Sequence, residues 1–130
     1  MSILTGSRPP STDTIPDKLD QKRLLQLYAD DTDMLITHIE LFLGEVIPQF
    51  QELEERIHLM DWAGVRSLTH QLRPWLSMVG LTDLENKLWE MERIAGNRPD
   101  RETLLALWGT FKEKLRQMTL VLNSELERMK

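Results

Sequence analysis

The sequence predicts an all-α protein: an up-down antiparallel four-helix bundle with a short extra helix at its N-terminal end. Three observations carry that expectation. Beyond Pro16 the apolar residues recur at steps of three and four, the period of a helix face, and no stretch alternates as a strand would. Two of the apolar ladders are close to thirty residues long, about 45 Å of helix at about 1.5 Å per residue, and two shorter ladders lie between them. The connections between ladders are brief, which makes neighbouring helices antiparallel.

Residues 1–16 read as a flexible leader or linker. They contain Pro9, Pro10, Pro16 and six Ser or Thr, with Ile3, Leu4 and Ile15 as the sizeable apolar side chains after Met1. One basic residue and no apolar block make this no secretory signal. Residues 17–130 then form a single domain. Residues 17–29 give the short first helix, with Leu19, Leu24, Leu27 and Tyr28 apolar, and Asp30-Asp31-Thr32-Asp33 supplies capping chemistry for the next. The second helix is expected over 32–60, on the ladder Leu35, Ile39, Phe42, Val46, Phe50, Leu53, Ile57, Met60. Pro48 sits inside that ladder and cannot donate to the Gly44 carbonyl, so a bend is expected there and not a stop.

Asp61 caps a third helix over 62–79, ended by Gly80. The fourth, over 82–95, carries Leu84, Leu88 and Met91 and closes at Gly96-Asn97-Arg98-Pro99. The last, over 100–129, repeats the long ladder with Leu104, Trp108, Phe111, Leu115, Met118, Leu122, Leu126 and Met129.

Composition narrows the function. With 130 residues, 41% hydrophobic and 28% charged, the chain is one ordinary globular domain and not a disordered segment. Its apolar runs are too short to cross a membrane. The absence of cysteine excludes a disulfide scaffold, a thiolate metal site and a cysteine nucleophile, and leaves the cytoplasm as the default compartment. Sixteen Lys plus Arg against twenty-one Asp plus Glu give a net charge of -5, which argues against nucleic acid as a partner.

A helical bundle can house a di-iron site, but that needs two Glu-x-x-His copies and two more inward glutamates. Glu55-Arg56-Ile57-His58 is the sole copy, and its histidine falls about 100° from the core ladder, so no metal is expected. No glycine-rich phosphate loop exists. His38 lies at the flank of its helix's apolar face and reads as a boundary histidine with one ring edge in water.

His70 differs. At about 100° per residue, Val65, Leu68, Leu72, Trp75, Leu76 and Val79 share one face of the third helix. His70 falls opposite them, surrounded by Arg66, Arg73, Pro74 and Ser77. The twenty-one residues from Trp62 through Thr82 contain no carboxylate, so a locally positive patch surrounds a solvent-facing imidazole. Geometry alone leaves two readings of it: a functional histidine or an ordinary surface one.

The run His70-Gln-Leu72-Arg73-Pro74-Trp-Leu-Ser77-Met-Val79-Gly80-Leu-Thr-Asp-Leu84 resembles the signature of histidine-containing phosphotransfer domains. That signature reads His-x-Leu-Lys-Gly, then an apolar residue and a glycine nine and ten positions past the histidine, then leucine. The resemblance implies a phosphocarrier without kinase activity of its own. His70 would accept a phosphoryl group at Nε2 from a receiver-domain aspartate and pass it to another. Arg73 would hold the phosphoryl oxygens with Arg66 as a weaker second cation, and Pro74, Ser77 and Met78 would form the docking floor. The implied partners are response-regulator receivers and an upstream histidine kinase. The divalent metal would come with the receiver, so no cofactor is expected on this chain. Two positions depart from the pattern: Arg73 replaces a lysine and Pro74 a glycine. A sensor-kinase dimerisation domain, whose box reads like His-Glu-Leu-Arg-Thr-Pro-Leu, is the alternative; here Gln71 replaces the acid and the proline is one position early. A structural scaffold is the third reading. A closed core with no leftover apolar stripe favours a monomer.

Overall fold

The computed structural model describes residues 18–130; the expected leader, 1–16, lies outside them. Among the described residues all regular structure is helical. Helix α1 is Gln21–Tyr28, α2 Thr32–Leu41, α3 Phe50–His58, α4 Trp62–Met78, α5 Thr82–Ala95 and α6 Arg101–Met129. Four of these starts follow one rule, an aspartate whose carboxylate accepts from the amide three residues on. Asp20 takes Arg23 N–H at 3.0 Å, Asp31 takes Met34 N–H at 3.1 Å, and Asp61 and Asp100 take Gly64 and Thr103 N–H at 3.0 Å. The first helix therefore begins later than its apolar pattern suggested, because Asp20 is its cap.

The long second ladder is bent, as Pro48 demands, and the bend has a defined form. After α2 the chain widens into one π-helical stretch, Phe42–Val46, in which Ile47 N–H reaches back to the Phe42 carbonyl. It then tightens into the 3-10 turn Ile47–Gln49 before α3 resumes the α-helix. Backbone angles stay in the right-handed helical region at Phe42, Val46, Ile47 and Gln49, so the rod deforms without breaking. An irregular ladder is how a helix absorbs a missing donor. The ladder fails at its end: Met60, counted as apolar contact, sits at φ 57° in the α3–α4 turn and is exposed.

Polar pairs fix the direction of packing. Glu40 meets Lys130, Glu54 meets Trp108 and Lys112, and the His58 carbonyl meets Arg101, so the α2–α3 rod runs antiparallel to α6. Arg66 lies against Gly96 while His70 and Arg73 lie against Glu92, so α4 and α5 are also antiparallel. Phe42, Phe50, Phe111 and Trp108 stack through the centre with ring centroids 5.5–6.5 Å apart. Seven of the eight rungs on α6 are buried, and Met129 is partly so.

Helix α1 is pinned across α2 and the α4–α5 turn. Gly80 ends α4 at φ 78°, where Leu81 N–H returns to the Leu76 carbonyl at 2.8 Å. A side chain at Gly80 would meet Leu24 at 3.1 Å and the Asp20 amide nitrogen at 3.3 Å, so the close approach also favours glycine. Asp20 N–H donates to the Gly80 carbonyl at 2.8 Å, and the Thr82 hydroxyl donates to Asp20 Oδ2 at 2.6 Å. These bonds hold the Asp20 carboxyl below its ordinary range, the Thr82 hydroxyl first and the Arg23 amide second.

Candidate functional site

Helix α4 carries the site, and its two faces separate as the wheel predicts. Val65, Leu68, Leu72 and Leu76 are buried, while the His70 side chain is 73% exposed. The helix runs unbroken past the exposed Pro74, although that residue removes the partner of the His70 carbonyl. Thr69, next to His70, is fully buried and returns its hydroxyl to the Val65 carbonyl at 2.8 Å. The backbone under the imidazole is therefore anchored while the ring faces solvent.

Tertiary structure corrects the electrostatics. The positive patch expected from a carboxylate-free α4 is not isolated, because Glu92 of α5 stands against it. Glu92 Oε1 accepts from Arg73 Nη1 at 3.0 Å, and Oε2 lies 3.5 Å from His70 Nδ1. Arg73 and Glu92 are each 23% exposed at the side chain, so this is a half-shielded pair and not a surface accident. Glu92 follows His70 by twenty-two residues on another helix. Its only mark in the sequence is a polar position at the edge of the α5 apolar stripe.

The residues expected to dock divide. Pro74 and Arg66 are exposed about one helical turn either side of His70, and Met78, two turns on, is half-buried. Arg66 lies over the C-terminal turn of α5; a Cβ on Gly96 would fall 3.0 Å from its Nε. Ser77 does not belong to a docking floor. It is 6% exposed, and Arg23 of α1 covers it, donating to its Oγ from Nε at 2.8 Å and from Nη2 at 2.6 Å. The wheel placed Ser77 opposite the core correctly, but α1 packs on that side.

His38 is the boundary histidine expected, with a fuller set of partners. The Tyr28 hydroxyl has one proton, which it donates to the Met78 carbonyl at 2.8 Å, so it accepts from His38 Nδ1 at 2.7 Å. Trp75 meets the same imidazole edge-on. His58 is exposed on α3, 4.0 Å from Glu54. Among the described residues no three His, Asp or Glu side chains come together as a metal site requires.

The surface is less thoroughly covered than the monomer argument assumed. Leu27 and Met34 stay exposed and line a groove of about 380 Å³ with Tyr28, Asp31, His38 and Met78. Trp89, one turn before Glu92, is half exposed with the Arg93 guanidinium 5.9 Å from its ring. Apolar surface is therefore exposed beside the Met78 end of α4 and on α5. No described helix is long and apolar enough to cross a membrane.

No curated protein and no solved structure matched the chain. The family model described as the Hpt domain matches residues 23–130, from within α1 to the last residue. That span takes in the whole of α4 and α5, with His70, Arg73 and Glu92. The chain belongs to the Hpt domain family, the phosphotransfer domains of two-component signalling.

Proposed function

We propose that the chain relays a phosphoryl group between receiver-domain aspartates with His70 as the acceptor. The carrying observation is His70 itself: a ring that is 73% exposed, next to the buried Thr69, with Arg73 within one helical turn. Phosphoryl transfer of this kind is positioning plus charge stabilisation, and both requirements have residues to meet them. Glu92 positions the ring at Nδ1, which leaves the Nε2 lone pair directed to solvent, where an acyl phosphate can approach in line. Arg73 leaves Glu92 to hold phosphoryl oxygens after transfer, with Arg66 as the weaker second cation.

Receiver docking uses Pro74, Met78 and Arg66, extended by the groove of Leu27 and Met34 on one flank and by Trp89 on the other. An apolar patch beside a reactive group is the usual mark of a partner surface; we assign this one to the receiver and the domain itself to a monomer. The up-down four-helix arrangement over 17–130 is supported by the antiparallel pairing of α2–α3 with α6 and of α4 with α5. The chain works in the cytoplasm without a cofactor of its own; the receiver brings the divalent metal, and the upstream kinase brings ATP.

His70→Gln tests the reading. A phosphorylated receiver is expected to label the wild type and to leave the variant unlabelled, with helicity and Tm nearly unchanged because the side chain is exposed. His38→Gln and His58→Gln keep the label, which is acid-labile and base-stable. ATP and magnesium alone label nothing. Label persisting on the His70→Gln chain refutes the assignment.

A further inference from the structure

We propose that Glu92 sets how readily the phosphoryl group leaves, by holding the Nδ1 proton of phosphorylated His70. The inference rests on His70 being the acceptor and goes further, to the state after transfer. Glu92 reaches two partners at once, His70 Nδ1 at 3.5 Å and Arg73 Nη1 at 3.0 Å, and is itself three-quarters covered. The opposite edge of the ring is open. This is the layout of a carboxylate that fixes a tautomer and steadies an imidazolium, applied to a phosphoryl acceptor.

The step balances as follows. The Nε2 electron pair forms the P–N bond while the P–O bond to the receiver aspartate breaks, and that pair departs on the carboxylate. The proton on Nδ1 does not move, so the product is an N-phosphoimidazolium with its positive charge on the ring. In the reverse step the P–N pair returns to Nε2 and the ring leaves as neutral imidazole. If Nδ1 has lost its proton, the ring must leave as imidazolate, a far poorer leaving group. An anion beside Nδ1 opposes that loss, because an opposite charge within a few ångströms favours the charged form.

Phosphorylation also frees Glu92 to act. When Arg73 turns to the phosphoryl oxygens, the carboxylate is left with the ring proton alone. The charged groups around the ring are Arg66 and Arg73 of α4 and Glu92 of α5. Arg93 of α5 is held over Trp89, and Arg23 of α1 is held at Ser77, two turns along α4. Glu92 is thus the one anion placed at Nδ1 among the described residues. Replacing it with glutamine keeps the size and one oxygen acceptor, removes the charge and exchanges the second acceptor for an amide donor.

Phosphoramidate, a small P–N donor whose leaving group is ammonia, labels the full chain without any receiver. After the donor is removed, phosphoryl loss from His70 is followed by phosphorus NMR from pH 5 to 9 in wild type and Glu92→Gln. The expected result is a displaced pH profile: rates that converge at the acidic end and about three- to tenfold slower loss from the variant near pH 8. The factor is modest because the imidazole is largely solvated and the interaction is screened. Superimposed profiles overturn the inference, and so does uniform slowing at every pH, which would mark a displaced ring and not a held proton. A wild-type chain that takes no label at His70 is a different failure, since it removes the acceptor assignment itself.

Discussion

Arg73→Ala separates a phosphoryl-holding guanidinium from one that belongs to a solvated face. A charge-assisted hydrogen bond to a phosphoryl oxygen contributes about 1.5–3 kcal/mol. Arg73 does not begin free, however, because its Nη1 lies 3.0 Å from Glu92 Oε1 with both side chains 23% exposed. Breaking a half-exposed pair costs about 0.5–1 kcal/mol, so the net gain on transfer is about 1–2 kcal/mol. At about 1.4 kcal/mol per decade, Arg73→Ala is expected to slow transfer from a phosphorylated receiver by roughly five- to thirtyfold. The same substitution removes the Glu92 pair from the resting fold, and Tm is expected to fall by only a few degrees. Rapid-quench measurement of label appearing on His70 reads the first effect, and thermal melting followed by circular dichroism reads the second. Arg73→Lys, which keeps a point charge but not the fork, recovers most of the rate if charge is what matters. An alanine variant that transfers at the wild-type rate would refute the reasoning, because the guanidinium would then end its work at Glu92.

Three further outcomes are expected. Pro74 is exposed inside an unbroken α4, so Pro74→Ala restores the bond to the His70 carbonyl and is expected to stabilise the domain by roughly 0.5–1.5 kcal/mol; a lower Tm would show that the ring packs. Asp20 both caps α1 and accepts from Thr82, so Asp20→Ala is expected to cost about 1–2 kcal/mol in thermal or urea unfolding, and an unchanged Tm would remove α1 from the stability of the domain. Because the Thr82 and Arg23 bonds depress the Asp20 carboxyl in the fold, its charge stabilises above the ordinary carboxylate range. That contribution is lost as pH falls through the folded value, so the Tm gap between wild type and Asp20→Asn is expected to close on acidification toward pH 2. A gap that is constant with pH would show that the charge of Asp20 has no part in it.

The sequence by itself determined the helices and the outward placement of His70, since both depend on relations within a few turns of chain, and it singled that histidine out through a motif of about fifteen residues. Apolar residues at steps of three and four mark a buried face whatever covers it, which is why the α6 ladder and the separation of His70 from Leu68, Leu72 and Leu76 were legible. The caps at Asp31 and Asp61 were likewise readable, because a cap bonds only three residues on, whereas Asp20 and Asp100 were counted inside their helices and are caps in the structure. Pro48 announced a bend by its missing donor, but not its form, π and then 3-10, between the buried Phe42 and Phe50.

What the tertiary structure decided is everything that crosses between helices. The wheel of α4 correctly set Ser77 on the outer side, yet Arg23, fifty-four residues earlier, covers it. The carboxylate-free stretch of α4 correctly implied positive charge, yet Glu92 is brought within 3.5 Å of His70 by the antiparallel α4–α5 pairing. A helical wheel has no information about its neighbours, and Coulomb and steric terms act over a few ångströms of space regardless of separation along the chain. Local periodicity therefore put the histidine on the outer face and the motif around it singled it out, while helix packing chose the charge that stands behind it and the surface left open around it.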